Sequence, residues 1–227
     1  MSHPGDHPRM VVALDVDGTL YDGTEVANEA VDALREAHRR GHLIIIVTGR
    51  RFDTLADVVP AVLPLCTLVV AEEGGVLVDM ATGSTTLLAR PIDEVVVDAL
   101  TAAGVTDLDV GRVAVGADRR FEAAMRSVHR THAPDHEVVV NKGSVALVPR
   151  GCDKGTGLRA ALDAVGCSTL PVLAVGDAAN DLPMFAVAAV AVAVANADAD
   201  VVAAGITLMD APFGAGVAEA LRRFLAG

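Results

Sequence analysis

Two aspartates after the first apolar run of the chain have the types and spacing for nucleophilic and acid–base chemistry. Asp15 and Asp17 belong to the segment Asp-Val-Asp-Gly-Thr, and side chains two positions apart in an extended chain point to the same side. One carboxylate can act as nucleophile and metal ligand and the other as general acid and base, if their surroundings separate the two pKa values. A calcium loop of the EF-hand type does not fit, because Leu20 stands where such a loop needs glycine and Val26 where it needs glutamate.

Two shorter segments carry groups that suit a phosphate. Thr48-Gly49-Arg50 ends the buried run Leu43–Val47, so a hydroxyl and free backbone N–H groups fall at a strand-to-helix junction. Asp153-Lys154-Gly155 stands at a helix start, where an ammonium could neutralise a phosphate oxygen in the transition state. Taken singly, each has an ordinary structural alternative, a helix-capping threonine for the first and a solvated surface lysine for the second.

A fourth segment places two more acids and an amide after a strand. Gly-Asp-Ala-Ala-Asn-Asp, with Asp177, Asn180 and Asp181, follows the apolar run Pro171–Val175. A helix N-cap with acids in the first turn would explain one of these aspartates, but hardly both together with the amide. We therefore predict that this segment also contributes to a site.

The elements that must position these segments alternate between short apolar runs and stretches of helical period. This alternation is typical of βαβ units around a mostly parallel sheet, so we predict a doubly wound α/β fold. Ligands of such folds bind beyond the carboxyl ends of the strands, where all four segments fall. The predicted strands of the main sheet are Met10–Leu14, His42–Val47, Thr67–Ala71, Pro171–Val175 and Val190–Val194, and its predicted first and last helices are Val26–Arg40 and Gly216–Leu225.

The middle of the chain changes pattern and predicts an inserted unit. The turn at residues 80–83 predicts a hairpin between Val76–Val78 and Thr85–Ala89 instead of another crossover. The predicted elements that follow are a helix (Asp93–Ala103), a strand (Val110–Val115), a helix (Asp118–Thr131) and a hairpin (Glu137–Asn141 with Ser144–Val148). We predict a catalytic core from residues 1–80 and 151–227, and a small α/β insert from residues 81–150.

Composition restricts the class of partner. Of the 227 residues, 52% are hydrophobic and 21% charged, which excludes a disordered chain. A net charge of −12 without clustered lysine and arginine disfavours nucleic acid and anionic membranes. The longest apolar run, Met184–Ala195, is shorter than the roughly 20 residues needed to span a bilayer. We therefore expect a small-molecule partner.

The cysteines and the N-terminal residues indicate a cytoplasmic protein. Cys66, Cys152 and Cys167 have spacings that match no metal or redox motif, so we expect reduced thiols. The stretch Met1–Arg9 has no apolar segment of the signal-peptide kind, so we expect a frayed tail there.

The four segments together resemble a known family. In the order Asp-x-Asp-Gly-Thr, Thr-Gly-Arg, Asp-Lys-Gly and Gly-Asp-x-x-Asn-Asp, they are similar to the four motifs of haloacid dehalogenase-type phosphatases. The resemblance continues through residues 182–184, 195–197 and 214–218, so it covers the main domain. The insert between the second and third motifs resembles the α/β cap of the subclass containing Cof-like sugar phosphatases, sucrose phosphatase and archaeal phosphoglycolate phosphatase.

The resemblance implies a magnesium-dependent phosphatase with a covalent intermediate. Asp15 would attack the phosphorus, while Asp17 would protonate the leaving alkoxide and then activate water. Mg²⁺ would bind Asp15, the backbone carbonyl of Asp17 and Asp177. Asp181 belongs to the same predicted metal group and, like Asn180, would orient Lys154 or a metal-bound water.

The resemblance also implies how the phosphate is held and what is hydrolysed. The implied phosphate-binding residues are Gly18, Thr48, Gly49, Arg50, Lys154 and Asn180. The expected substrate is a small phosphate monoester, either a sugar phosphate or a short phosphorylated acid such as phosphoglycolate. One departure affects this expectation, because Glu72-Glu73-Gly74 stands where many relatives have Glu-Asn-Gly, and a charge therefore replaces an amide.

Three alternative functions involve these or neighbouring residues. A phosphomutase stays open, because similar core motifs can return the phosphoryl group to a second hydroxyl. A phospho-accepting signalling module would share the paired aspartates, but the insert and the proton-transfer role of Asp17 favour turnover. A dinucleotide fingerprint at Gly155–Ala160 does not directly follow a strand, as that motif requires.

Two groups in the insert have simpler explanations. His129, His132 and His136 could suggest a metal site, but Pro134 interrupts any helix that would align them, so we expect solvated side chains. Lys142 and Arg112 could contact a second anionic group of a substrate, although turn chemistry alone accounts for Asn141-Lys142-Gly143.

Overall fold

The computed structural model describes residues 9–225, which form two β-sheets with helices packed against them. The strands are β1 (Val11–Leu14), β2 (Leu43–Val47), β3 (Leu68–Ala71), β4 (Val76–Asp79), β5 (Thr85–Leu87), β6 (Asp109–Val110), β7 (Val115–Asp118), β8 (His136–Val140), β9 (Ser144–Pro149), β10 (Val172–Gly176), β11 (Val190–Ala193) and β12 (Thr207–Leu208). The α-helices are α1 (Asn28–Arg39), α2 (Leu55–Val58), α3 (Glu94–Ala102), α4 (Glu122–His132), α5 (Lys154–Ala164), α6 (Leu182–Phe185), α7 (Ala199–Ala203) and α8 (Phe213–Leu225).

The larger sheet has eight strands in the order β12-β11-β10-β1-β2-β3-β4-β5. The pairs from β12 to β3 are parallel, whereas β4 and β5 extend the sheet as an antiparallel hairpin. The strand order reverses at β1, because β2 lies on one side of it and β10 on the other. A crevice forms beyond the carboxyl ends of the strands at such a reversal. The predicted doubly wound α/β class is confirmed, and so is the predicted β4–β5 hairpin.

The core lies on both faces of this sheet. Leu14 packs in a hydrophobic cluster with residues of α1 and α8, whereas the neighbouring Ala13 packs in a second cluster with residues of α5 and α6. Every residue of β1, β2 and β10 is buried. A strand covered on both faces needs a continuous apolar run, which is why these segments are recognisable in the sequence as strands.

The smaller sheet has the order β6-β7-β9-β8 and is antiparallel. Helices α3 and α4 pack with it around a hydrophobic cluster that includes Leu100, Met125 and Leu147. The predicted insert of residues 81–150 contains this whole sheet. Residues 85–87 of the same range form β5, which pairs with β4 in the larger sheet.

The predicted strand Val110–Val115 is wrong. The chain instead makes a turn between β6 and β7, in which the N–H of Gly111 donates to the carbonyl of Ala114 at 2.9 Å. The buried carboxylate of Glu72 accepts the backbone N–H groups of Arg112, Val113 and Ala114 at 3.0, 2.8 and 3.2 Å. This turn is therefore stabilised by a side chain about forty positions away, which a local pattern of apolar residues does not reveal.

Two further expectations concern the ends of elements. The helix predicted from Asp118 starts as a 3-10 turn at Arg119–Phe121 and becomes α-helical at Glu122. The expected tail lies outside the described residues, apart from Arg9. Between residues 9 and 225, no helix has the length and apolar character needed to cross a membrane.

Candidate active site

The predicted segments meet at the carboxyl ends of three adjacent strands. Asp15 follows β1, Thr48 follows β2 and Asp177 follows β10, and β1 pairs with both of the other strands. A cavity of about 540 Å³ opens there, between the larger sheet and the insert. Its lining includes eight of the ten predicted site residues: Asp15, Asp17, Gly18, Gly49, Arg50, Lys154, Asp177 and Asn180.

Lys154 forms the centre of a buried ionic cluster. It is the first residue of α5, which Asp153 and Thr156 cap reciprocally, with backbone N–H groups donating to the opposite side chain at 2.7 and 2.9 Å. The Lys154 Nζ lies 2.6 Å from Asp15 Oδ1 and 2.6 Å from Asp181 Oδ1. All three side chains are almost fully buried, so the sequence alternative of a solvated lysine is wrong.

The carboxylates outnumber the cation that they share. Burial raises the pKa of Asp15 well above its usual value, and the negative charges of Asp181 and Asp177 add to this rise while Lys154 opposes it. Burial also raises the pKa of Asp177. For Lys154, burial lowers the pKa, but the charges of Asp15 and Asp181 outweigh it and hold the pKa well above its usual value. The cluster therefore has excess negative charge that an added cation would relieve.

Asp181 positions the segment that carries Asp177. One of its oxygens, Oδ2, accepts the backbone N–H groups of Asp177 and Ala178 at 2.8 and 3.0 Å, while the other accepts from Lys154. The hydroxyl of Thr19 donates to Asp177 Oδ1 at 3.2 Å. The first and fourth motifs are thereby linked directly through side chains.

Gly18 is a position where the backbone must approach Asp177 closely. Its φ is +84°, and a Cβ atom added there would lie 2.4 Å from Asp177 Oδ2. A side chain at this position would therefore clash with the carboxylate and would also be held in a left-handed conformation. Asn196 fixes the same turn from another side, because its amide donates to the carbonyl of Gly18 at 2.8 Å.

Asp17 lies apart from the buried cluster. Its carboxylate is half exposed and forms a bidentate ion pair with Arg50, whose Nε and Nη2 donate to the two oxygens at 2.6 Å each. The guanidinium also lies 5.8 Å from the ring centroid of Tyr21. In residues 9–225, the group of side chains close enough to share a metal ion is Asp15, Asp177 and Asp181.

Thr48 is fully buried at the start of the second motif. Its hydroxyl accepts the N–H of Arg50 at 3.2 Å, and its own N–H donates to the carbonyl of Val70 at 2.9 Å. Gly49 follows and is packed against the carboxylate of Glu73, so closely that a Cβ at this glycine would lie 2.3 Å from Glu73 Oε1. The segment thus turns its glycine and its arginine toward the cavity.

The insert contributes a lysine that sequence reasoning considered but set aside. Lys142, at the tip of the β8–β9 hairpin, places Nζ 2.5 Å from Asp177 Oδ2 and 3.2 Å from Asp198 Oδ1. The same atom donates to the carbonyl of Asn196 at 3.2 Å. In the sequence, Lys142 is distinguished only by its position in a tight turn. Ordinary turn chemistry already explains a lysine there, so the sequence provided no separate reason to place it in a site.

Glu73 is the second residue that sequence reasoning did not place in the site. The Nδ2 of Asn180 donates to both of its oxygens at 3.1 Å, and the Nδ2 of Asn141 from the insert donates to Oε1 at 3.3 Å. The departure from the family motif at this position was visible in the sequence. The sequence did not show that the side chain of Glu73 points into the cavity.

The histidines of the insert are used for local packing. His129 Nε2 lies 2.8 Å from the backbone carbonyl of His136, so this nitrogen carries the proton and donates. Burial lowers the pKa of His136. Both ring nitrogens of His136 are buried, so the expectation of a solvated side chain is wrong for this residue.

Comparison with known proteins agrees with this geometry. A family model of haloacid dehalogenase-like hydrolases matches residues 12–121 and 113–221. The chain is 30% identical over 223 residues to a phosphoglycolate phosphatase of Methanothermobacter thermautotrophicus, covering 94% of this chain and 98% of that protein. Together these matches span nearly all of the described residues.

Two solved structures share the fold. A haloacid dehalogenase-like hydrolase from Bacteroides thetaiotaomicron aligns with a TM-score of 0.80 and 17% identity, covering 95% of this chain and 99% of that one. A sugar phosphatase of haloacid dehalogenase subclass IIB aligns with a TM-score of 0.75 and 19% identity, with the same coverage. The chain belongs to the haloacid dehalogenase-like hydrolases, and the family resemblance predicted from the four motifs is confirmed.

Proposed function

We propose that this hydrolase is a Mg²⁺-dependent phosphatase that cleaves a small phosphate monoester through a phosphorylated Asp15. The observation that carries the proposal is the buried contact between Asp15 and Lys154, 2.6 Å apart at the strand-order reversal and beside Asp177. A nucleophilic carboxylate next to a fixed ammonium suits an in-line attack on a phosphoryl group, whose charge the ammonium stabilises. The phosphatase names of the relatives support the same reaction class.

The residues present fit a hard divalent cation. Oxygen atoms of Asp15, Asp177 and Asp181 lie within 4.8 Å of one another, and oxygen ligands are those that Mg²⁺ prefers. Asp181 uses its two oxygens to hold the buried Lys154 and two backbone N–H groups, whereas Asp177 Oδ2 is held by the half-exposed Lys142, which a cation can displace. We therefore assign Asp15 and Asp177 as direct carboxylate ligands and Asp181 as their support. The backbone carbonyl of Asp17 completes the proposed protein ligands. When bound, Mg²⁺ supplies positive charge that offsets the negative charge of the phosphoryl oxygens.

Asp17 is proposed as the general acid and base. Its carboxylate is half exposed and can exchange protons with solvent, in contrast to the buried Asp15. The bidentate pair with Arg50 must open or shift before Asp17 protonates a leaving alkoxide. We propose that the substrate phosphate draws Arg50 away, so that the same arginine then binds a phosphoryl oxygen.

The insert is proposed to act as the cap of the site. Lys142 and Asn141 reach from its β8–β9 hairpin to Asp177 and Glu73 in the core. The predicted division of the chain into residues 1–80 with 151–227 and residues 81–150 is part of this proposal. We place the reaction in the cytoplasm, since the three cysteines are free thiols, which suits a reducing compartment.

The test measures release of inorganic phosphate from p-nitrophenyl phosphate and a panel of sugar phosphates, with magnesium and with chelator. Asp15→Asn is expected to lose turnover, and acid-quenched wild-type protein is expected to carry a phosphoryl group on the peptide that contains Asp15. Asp57→Asn, which changes an exposed aspartate of α2, is the matched control and should retain activity. Phosphate release by Asp15→Asn at the wild-type rate would contradict the proposed nucleophile.

A further inference from the structure

The carboxylate of Glu73 lies at the boundary between the core and the insert. The residue is 5% exposed and its backbone has a left-handed conformation with φ 55°. Such a conformation is uncommon for a residue other than glycine, asparagine or aspartate. The chain therefore holds a glutamate, in an unfavourable backbone geometry, with its side chain in the substrate cavity.

The neighbours of this carboxylate place it next to the expected phosphate position. It packs against Gly49, directly after Thr48, and it accepts from Asn180, a residue of the fourth motif. Its charge is also felt by Lys154, whose pKa it helps to raise. A leaving group that extends from a phosphate between these motifs toward the insert must pass this carboxylate.

Glu73 has amide partners and no cation in contact. Among residues 9–225, its side-chain oxygens accept from Asn180 and Asn141, and no lysine or arginine forms an ion pair with them. By contrast, Asp17 is paired with Arg50. Within the described residues, the negative charge of Glu73 is therefore offset by no direct ion pair, and Lys154 acts on it only from a distance.

Asn141 provides a second hydrogen-bond acceptor next to the carboxylate of Glu73. Asn141 gives its Nδ2 to Glu73, while its Oδ1 is buried and has no hydrogen-bond partner in the described part of the chain. The amide nitrogen must be the atom that faces Glu73, since a carboxylate can only accept. A buried acceptor without a donor is costly unless a ligand supplies the donor. Two neighbouring acceptors, Glu73 from the core and Asn141 from the insert, thus call for hydrogen-bond donors on the leaving group.

The remaining charges of the cavity point the same way. Its lining holds seven carboxylates and three cationic side chains, and the carboxylates beyond the catalytic motifs are Glu73, Asp107, Asp109 and Asp118. A phosphate dianion and Mg²⁺ cancel each other in formal charge. Asp109 pairs with Arg51 at 3.0 Å and Asp107 with Arg120 at 3.8 Å, so Glu73 and Asp118 are the two of these four without an ion pair among the described residues. The filled site therefore keeps excess negative charge at Glu73, which repels a further anionic group on the substrate.

We propose that Glu73, with Asn141, is a specificity-determining residue that selects phosphate esters whose leaving group carries hydroxyl or ammonium donors and no negative charge. This inference rests on the proposed phosphatase function and narrows its substrate class. Under this proposal, the substrate specificity of the chain differs from that of the phosphoglycolate phosphatase to which the chain is similar, because glycolate is an anionic leaving group.

The test compares substrates that differ only in the group facing Glu73. The first pair is 2-phosphoglycolate and 2-hydroxyethyl phosphate, the second pair is 3-phosphoglycerate and glycerol 3-phosphate, and 2-aminoethyl phosphate tests an ammonium. For the wild type, we expect kcat/KM to be roughly tenfold or more higher for the uncharged member of each pair, because like charges a few ångströms apart repel in a partly buried site. A comparable preference for the aminoethyl ester would identify the ammonium as a suitable donor.

Variants separate selection from a merely structural role. Glu73→Gln should raise the kcat/KM ratio of the carboxylated to the hydroxylated ester roughly tenfold in both pairs, since it removes the charge and keeps the shape. Glu137→Gln, which removes an exposed charge of β8 outside the cavity, is the control and should leave both ratios unchanged. A structural defect would lower kcat/KM for all substrates by a similar factor and leave the ratios between substrates unchanged.

The outcomes distinguish the two proposals. If wild-type protein hydrolyses the carboxylated ester of each pair as well as its partner, or if Glu73→Gln leaves both ratios unaltered, the specificity assignment is overturned while the phosphatase stands. If neither p-nitrophenyl phosphate nor any ester of the panel is hydrolysed in the presence of magnesium, the phosphatase proposal is wrong. The specificity inference, which rests on it, is then also wrong. The wild-type comparison alone decides the first question should Glu73→Gln not fold.

Discussion

The ammonium of Lys154 lies 2.6 Å from the carboxylate of Asp15, although 139 positions separate the two residues in the sequence. The first follows the insert at the start of α5 and the second follows β1. The tertiary fold therefore brings the third motif, which follows the insert, into contact with the first motif, which precedes it. Both side chains are almost fully buried, so each partner depends on the other for its charge.

Lys154→Met tests this dependence. Removing the ammonium leaves two buried carboxylates without their shared partner, and we expect the free energy of unfolding of the chelated protein to fall by about 3 to 5 kcal/mol at pH 7. Turnover should fall at least about a hundredfold, because a fixed charge at the phosphoryl group is lost. Urea unfolding and kcat of phosphate release are the measurements.

The matched control is Lys142→Met, which removes a half-exposed lysine from the same cavity and should cost at most about 1 kcal/mol. Combining Asp15→Asn with Lys154→Met should recover part of the lost stability, since it removes a buried charge along with its partner. Equal stability losses for the two lysine variants would contradict a special role for the buried pair.

Gly18→Ala is expected to damage the site through a clash. The new Cβ would lie 2.4 Å from Asp177 Oδ2 in a backbone with φ +84°, so the carboxylate must move. Gly23→Ala has a similar backbone cost, with φ +102°, but its Cβ would meet nothing within 4 Å. Both variants should lose about 1 kcal/mol of stability from the backbone, and only Gly18→Ala should also lose magnesium affinity and turnover. Equal turnover in the two variants would show that Asp177 accommodates the methyl group.

Lys142→Gln should bind magnesium more tightly in the absence of substrate. The Nζ atom lies 2.5 Å from Asp177 Oδ2, so the lysine competes with a cation for that oxygen. For a half-exposed lysine we expect a roughly fivefold lower dissociation constant for Mg²⁺, equivalent to about 1 kcal/mol. Calorimetric titration at low ionic strength measures this dissociation constant. Arg130→Gln, which removes an exposed charge from α4, is the control, and weaker binding by Lys142→Gln would argue against competition.

The stability of the metal-free protein should depend on pH through Asp15 and Asp177. Burial raises the pKa of both carboxyl groups in the folded state, so the folded protein binds their protons more tightly than the unfolded chain does. Their contribution to stability is then fully present below the unfolded pKa of about 4 and is lost as the pH rises through the folded values. Each group contributes a slope of at most about 1.4 kcal/mol per pH unit in that window.

Chemical unfolding in chelator between pH 4 and pH 8 measures this effect. The difference in stability between wild type and Asp177→Asn should change with pH, with the wild type losing more as the pH rises. Magnesium should restore more stability at pH 8 than at pH 5, because its ligands must be deprotonated. A pH-independent difference between the two proteins would contradict the raised pKa of Asp177.

The fold and the four motifs were readable from local patterns. Strands such as β2 are covered on both faces, so they appear in the sequence as continuous apolar runs, and the polar residues that follow them mark the carboxyl edge of the sheet. The start of α5 was also predicted, because the signals for a helix start lie within a few residues of Asp153. Chemistry placed at strand ends can thus be found without any knowledge of packing.

The parts that local patterns did not show depend on residues far apart in the chain. The turn after Gly111 is held by Glu72, and the pair between Asp17 and Arg50 spans 33 positions. The approach of Lys142 to Asp177 requires the insert to sit over the core in one orientation. Such contacts are selected by the burial and charge of the assembled molecule, where an unpaired group is costly, and the spacing of residues along the chain carries no information about them.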